Sequence, residues 1–154
     1  MRRKQLSGLA SMTTRVVLLS SLLLLPLGAG LGCTPALLPV QQEARAPGIA
    51  RITLDSIDGN HFVFMVWNET AMPITVDREA VRLITPHDRR GWDAGWGRRL
   101  VVVPPGGVHD VKMKFDLDGL NQGEQVQFEF SSALIFGGRP VPVPVPRITL
   151  RVGD

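Results

Sequence analysis

The sequence predicts an all-β fold, an antiparallel sandwich of two sheets built from about seven or eight short strands. Three observations predict it. Apolar and polar residues alternate over several short stretches, which is the period of a half-buried strand. Clusters of glycine, proline, asparagine and aspartate separate those stretches. No stretch after residue 48 carries a sustained helical period.

The elements follow in order. Ile52 and Leu54 alternate with Arg51, Thr53 and Asp55, and Asp58-Gly59-Asn60 marks a turn. Phe62 to Trp67 is an unbroken apolar run, expected as a strand buried on both faces. Asn68 to Pro73 turns the chain, and Ile74–Val76 and Val81–Ile84 follow as short strands. Arg99 to Val103 is another strand, ended by Pro104-Pro105-Gly106-Gly107. Proline followed by glycine suits the two central positions of a type II turn, where glycine accepts the positive φ. Val111, Met113 and Phe115 alternate with Lys112, Lys114 and Asp116; Val126, Phe128 and Phe130 alternate with Gln127, Glu129 and Ser131.

Near the end, Pro142, Pro144 and Pro146 alternate with Val141, Val143 and Val145. Prolines two apart remove donors along one strand edge, so this segment is expected as an edge strand with its valines facing the core. The apolar parity then shifts to Ile148, Leu150 and Val152, which predicts a bulge or bend near Pro146-Arg147. Arg-Ile-Thr-Leu occurs at 51–54 and again at 147–150, a repeat taken as coincidence. The expected core is Ile52, Leu54, Phe62, Phe64, Val66, Ile74, Leu83, Val101, Val103, Val111, Met113, Phe115, Val126, Phe128 and Phe130.

The N-terminal third reads differently. Residues 1–15 are polar and basic, 16–27 are an apolar run, and small residues lead to Cys33. That order is the layout of a signal peptide. Removing Arg2, Arg3, Lys4 and Arg15 from the 17 basic residues leaves 13 against 14 acidic ones, so the basic balance belongs to the leader. The rest lacks the basic excess that nucleic-acid binding requires. One cysteine excludes an internal disulfide and a cysteine-based zinc cluster. Met12 offers an alternative start. The expected organisation is a signal peptide over 1–32, Cys33 and a proline-rich tether over 33–48, and a β-sandwich domain over 49–154. Docking of Leu37, Leu38 and Val40 on the domain is the alternative to a free tether. Plain secretion and an uncleaved anchor over Val16–Gly32 are the alternatives to a processed lipoprotein.

Ala29-Gly30-Leu31-Gly32-Cys33 resembles the lipobox of bacterial lipoproteins. It departs from the usual pattern in having Gly30, not leucine, three residues before the cysteine. The resemblance implies a lipid on the Cys33 thiol, cleavage before it, and membrane attachment through acyl chains. It also implies a cell-envelope location. Thr34, in place of an aspartate after the cysteine, favours the periplasmic face of the outer membrane where the envelope has two membranes. Val66 to Ile74, the turn at Val103–Gly107 and Phe115-Asp116-Leu117 together resemble the immunoglobulin-like domains of uncharacterised bacterial lipoproteins. That family supplies a fold and a location and no catalytic residues.

The search for chemistry excludes more than it finds. His61, His87 and His109 lack metal-ligand spacing and sit at turns. There is no G-x-S-x-G elbow and no phosphate-cradling loop. Asn68-Glu69-Thr70 matches a glycosylation acceptor, a reading that a bacterial lipoprotein disfavours. No cofactor is expected.

One segment stands out, residues 86–99, which carry two of the three tryptophans and are expected as a loop. Arg89, Arg90, Trp92, Trp96 and Arg98 form a candidate partner-binding loop, because tryptophan and arginine dominate binding hot spots. The alternative is that Trp92 or Trp96 caps the sandwich while the arginines pair with Asp88 and Asp93. The expected function is a lipid-anchored, non-enzymatic envelope module that binds or positions another envelope component, a protein or a glycan. The runner-up is a structural accessory subunit of a transport or secretion assembly. A metal-binding or hydrolytic domain whose residues converge only in space is the third reading.

Overall fold

The computed structural model describes residues 36–141, 145 and 147–153. The expected signal peptide over 1–32 and Cys33 lie outside them. In chain order the strands are β1 (Leu37–Gln41), β2 (Glu43–Ala46), β3 (Ala50–Asp58), β4 (His61–Asn68) and β5 (Ile74–Asp77). A 3₁₀ turn at Arg78–Ala80 leads to β6 (Arg82–Ile84), β7 (Arg89–Gly91), β8 (Leu100–Val103) and β9 (Val108–Lys114). The chain ends with β10 (Gln125–Glu129), β11 (Leu134–Phe136), β12 (Arg139–Pro140) and β13 (Ile148–Val152).

The strands pair antiparallel in three sheets, ordered β1-β13-β10-β6-β7, β2-β3-β4-β9 and β12-β11-β5-β8. The run β3-β4-β9 facing β13-β10-β6-β7 has the strand order of an immunoglobulin-like sandwich. More strands appear than the expected seven or eight, because the chain bends between sheets and divides what would be longer strands. Asp77 makes one such break. Its side chain accepts a hydrogen bond from the Glu79 N–H at 3.0 Å, capping the 3₁₀ turn that carries the chain from β5 to β6.

Aromatic packing joins the two main sheets. Phe128 on β10 meets Phe62 and Phe64 on β4 with ring centroids 4.8 and 4.9 Å apart. Phe64 also meets Phe130 at 5.2 Å, and Phe115, just past β9, meets Phe128 at 5.2 Å. All fifteen expected core residues are buried. The β4 run is not buried on both faces, however. Phe62, Phe64 and Val66 face the core, whereas Val63, Met65 and Trp67 are half-buried. An antiparallel sheet keeps one face toward water, and an all-apolar run hides that alternation. On the outer face the Arg51 guanidinium lies 4.1 Å from the Trp67 ring centroid, so its charge and stem shelter the indole.

The turn after β8 has the expected form. The Gly107 N–H donates to the Pro104 carbonyl at 3.0 Å, and Gly106 has φ +63°. Asn68 locks this turn from below. Its Nδ2 lies 2.7 Å from the Met72 carbonyl and 3.1 Å from those of Val103 and Pro104, while its Oδ1 accepts from Thr70. This buried amide is a structural keystone, and its nitrogen is committed to those carbonyls.

Three expectations are corrected. Residues 37–46, read as part of a tether, form β1 and β2; Leu37, Ala44 and Ala46 are buried there. Alanine buries too little area to declare such a strand in sequence. The 86–99 segment, read as a loop throughout, contains β7, which pairs with β6. Val141 and Val145 are buried as the parity requires, yet neither lies in a strand. Pro142, Val143, Pro144 and Pro146 lie outside the described residues, so the edge strand and the bend at Pro146-Arg147 do too. The two Arg-Ile-Thr-Leu segments fall on different sheets, while β1 lies beside the last strand, β13.

Phe128→Ala is expected to lower stability by about 3–5 kcal/mol, read from the denaturation midpoint, because it opens a cavity between the sheets. A near-neutral change would contradict the packing.

Candidate functional site

The 86–99 segment is anchored at both ends and in the middle. At its start, Thr85 Oγ1 donates to Asp88 Oδ1 at 2.7 Å and accepts from the Asp88 N–H at 2.9 Å, closing the β6–β7 hairpin. Arg90 Nε spans the two Asp88 carboxylate oxygens at 2.9 and 3.1 Å, and Nη1 donates to the Asp116 carbonyl at 3.0 Å. Arg90 and then Thr85 hold the Asp88 carboxyl below its ordinary range. Arg89 pairs with Glu129, which also receives Arg147 at 2.8 Å. At the far end Arg99 grips Asp77 through two bonds, 3.0 Å from Nε and 2.7 Å from Nη2. This contact, reinforced by the Glu79 N–H, lowers the Asp77 carboxyl below its usual value.

The middle turns on Asp93. Its N–H donates to the Lys114 carbonyl at 2.8 Å, its carbonyl accepts from the Trp96 N–H at 3.1 Å, and its Oδ1 accepts from the Gly95 N–H at 3.0 Å. These bonds hold a tight polar turn over the end of β9. They also separate the two tryptophans. Trp92 is 9 % exposed and belongs to the core, whereas Trp96 is 44 % exposed and packs on His61 with centroids 4.2 Å apart.

The expected loop therefore divides. Trp92, Arg89 and Arg90 are held in the fold, the first by burial and the other two by carboxylates. Trp96 and Arg98 are exposed, and Arg98 makes no ion pair among the described residues. Asp93 pairs at 3.5 Å with Lys114, not with an arginine.

Arg78 is the residue that sequence reasoning missed. It is 9 % exposed and sits beneath the loop, with its guanidinium carbon 5.5 Å from the Trp92 ring centroid. Nη1 donates to the Trp96 carbonyl at 3.2 Å, and Nε is buried without a partner. No carboxylate among the described residues pairs with it. Burial pushes the guanidinium below its ordinary value, and Asp110 offsets part of that. Gly97 lies directly over it. A Cβ there would fall 2.8 Å from Nη1, and the backbone has φ +98°. A charge after a strand reads as a surface residue in sequence, so no signal in the pattern could have found it.

Two shallow clefts flank this guanidinium. One, of about 360 Å³, is lined by Arg78, Gly95, Trp96, Gly97 and Lys112; the other, of about 380 Å³, shares only Arg78 and Gly97 with it and is otherwise lined by Arg98, His109 and residues of β8. The histidines do not converge: His87 meets Glu124 at 3.0 Å, and His61 lies under Trp96. Among the described residues no group of three histidine, cysteine or acidic side chains is placed to hold a metal.

No family model matches the chain, and no curated protein does either. Among solved structures the fold is similar to that of YcdA from Bacillus subtilis, described as a candidate lipoprotein. The two share 13 % identity with a TM-score of 0.53 over 74 % of this chain and 39 % of that one. The likeness is one of fold.

Trp92→Ala is expected to cost about 3–5 kcal/mol of stability and Trp96→Ala less than about 1 kcal/mol, measured by thermal or chemical unfolding. Equal losses would contradict the division of the loop. Asp77 gives a second test. A lowered carboxyl contributes stability above its unfolded value of about 3.9 and loses it as pH falls through the folded value. Asp77→Asn should therefore cost about 1 kcal/mol at neutral pH, discounted because Arg99 is solvent-exposed, and should flatten the acid-side fall in melting temperature.

Proposed function

We propose that the chain is a lipid-anchored, non-enzymatic module of the cell envelope that binds or positions another envelope component, a protein or a glycan. The observation that carries this reading is the order of segments before Cys33: a basic end, an apolar run and small residues up to Gly32-Cys33. Acylation of that thiol places the domain at a membrane surface, with the periplasmic face of the outer membrane favoured by Thr34 in an envelope of two membranes. The fold likeness to a candidate lipoprotein supports the same reading.

The start of β1 at Leu37 adds a geometric consequence. Four residue steps reach at most about 14 Å at full extension. The domain then stands close to the headgroups, not at the end of a long tether. Leu38 and Val40 on β1, 47 % and 58 % exposed, suit such proximity. Trp96 and Arg98 supply the contact surface, at the turn that Asp93 organises.

A second reading, a structural accessory subunit of an envelope assembly, is favoured by the burial of Trp92 and the pairing of Arg89 and Arg90. On that reading the segment serves the fold and carries no ligand.

Cys33→Ser is the test of the anchor. The unaltered chain should fractionate with membranes and need detergent for release. The variant should appear in the soluble fraction or retain its leader. Unchanged membrane partition after the substitution would refute the anchor.

A further inference from the structure

We propose that the cleft between the Asp93–Gly97 turn and β9 is a binding site for a saccharide bearing a single carboxylate, of the uronic-acid class, with Arg78 and Lys112 receiving the carboxylate and Trp96 facing the sugar ring. This goes beyond the envelope reading and does not depend on Cys33.

The first support is Arg78 itself. Arginine is charged at every accessible pH, and a buried charge is normally paired. Here the guanidinium has a buried, unpartnered Nε and one carbonyl contact, and no carboxylate among the described residues pairs with it. The fold keeps it beneath Gly97, where a Cβ would fall 2.8 Å from Nη1 and displace the guanidinium. A ligand carboxylate matches the planar fork of the guanidinium, as aspartate or glutamate would within the chain.

The second support is the composition of the cleft walls. Lys112 lines the same cleft and is 60 % exposed. Its ammonium is 3.5 Å from Asp110, so two cations and one anion leave a single net positive charge. That balance suits one carboxylate and disfavours a phosphate dianion, which Asp110 would repel more strongly. Asp93 is turned toward Lys114 and the Gly95 amide.

The third support is Trp96, which is 44 % exposed and lines the same cleft. Backed by His61, the ring is a fixed apolar platform beside a cation. A sugar with an apolar face and one acidic group answers both features. The neighbouring Gly95 and Gly97 leave the backbone open to close approach.

The test is a titration of the full chain in neutral detergent, following the Trp96 indole N–H and the backbone amides of Gly95 and Gly97 by nuclear magnetic resonance. The probes are glucuronate, glucose, acetate and inorganic phosphate. Glucuronate should give saturable shifts at these sites, acetate weaker ones and glucose none. Lys112→Gln, on an exposed side chain that the fold tolerates, should weaken glucuronate about fivefold or more. Trp96→Ala should reduce glucuronate to the level of acetate. Arg78→Gln should abolish the response where the variant remains folded. Absence of saturable shifts with glucuronate would overturn the site. Equal response to glucose would overturn the charge argument, and tighter binding of phosphate than of glucuronate would overturn the carboxylate. A failed titration leaves the Cys33 experiment untouched, so failure of the site and failure of the anchor are distinguishable.

Discussion

Phe128 sits among Phe62, Phe64 and Phe115, with ring centroids between 4.8 and 5.2 Å, and through these contacts β10 is held against β4. The chain has one cysteine, at position 33, so no disulfide can cross the sandwich in the place where antibody domains carry one. Aromatic burial takes over that duty. Phe128 meets Phe62 and Phe64 edge to face, the arrangement that sets the positive edge of one ring against the negative face of another, and meets Phe115 at a tilt. Each sheet is thereby fixed relative to its neighbour, and the positions of β6, β7 and β9 follow. Those three strands support the start and middle of the 86–99 segment, while its far end is tied through Arg99 to Asp77 on β5. The location of Trp96 is therefore a distant consequence of how Phe128 packs.

Around that core, polar contacts do the local positioning. Asn68 binds the turn after β8 from within, and Asp77 joins the break between β5 and β6 to Arg99. Asp88 and Asp93 perform the same role at the hairpin and at the loop centre. Asn68 donates to backbone carbonyls, and the aspartates accept from a backbone N–H or a neighbouring arginine, so a segment rich in glycine and charge becomes a defined surface. The order imposed is selective. It draws Trp92 inward and leaves Trp96 outside, although the two rings are four residues apart in nearly identical sequence surroundings, each preceded by glycine.

That selectivity explains what could be read in advance. The strands bearing Val111, Met113 and Phe115, or Val126, Phe128 and Phe130, announce themselves because large apolar side chains alternate with charged ones. The Pro105-Gly106 turn is equally legible, since only glycine accepts the φ it needs at low cost. β2 is not, because Glu43-Ala44-Arg45-Ala46 buries two methyl groups and presents the profile of a linker. The two-sided burial expected for β4 fails for the opposite reason: Val63, Met65 and Trp67 are apolar yet face outward, where Arg51 covers one of them. Of the candidate site, the segment was visible from its tryptophan and arginine content. Its division into supporting and presented residues was not, because pairing with Asp88, Glu129 and Asp77 depends on strands remote in sequence.

Asn68 and Arg78 illustrate how differently two buried polar groups can be treated by one fold. The amide of Asn68 is surrounded by carbonyls in a place where the chain must turn, and its burial is repaid by geometry. Arg78 is buried to a similar degree, carries a full charge, and receives one carbonyl and an indole face. A fold that needed only to fill that space could have used a leucine there without the desolvation cost of a cation. Gly97, with its left-handed backbone, adds a second cost by keeping the space above the guanidinium open. Two expenditures directed at one point, beside an exposed ring and a lysine, are better explained by what the point meets from outside than by what it contributes within.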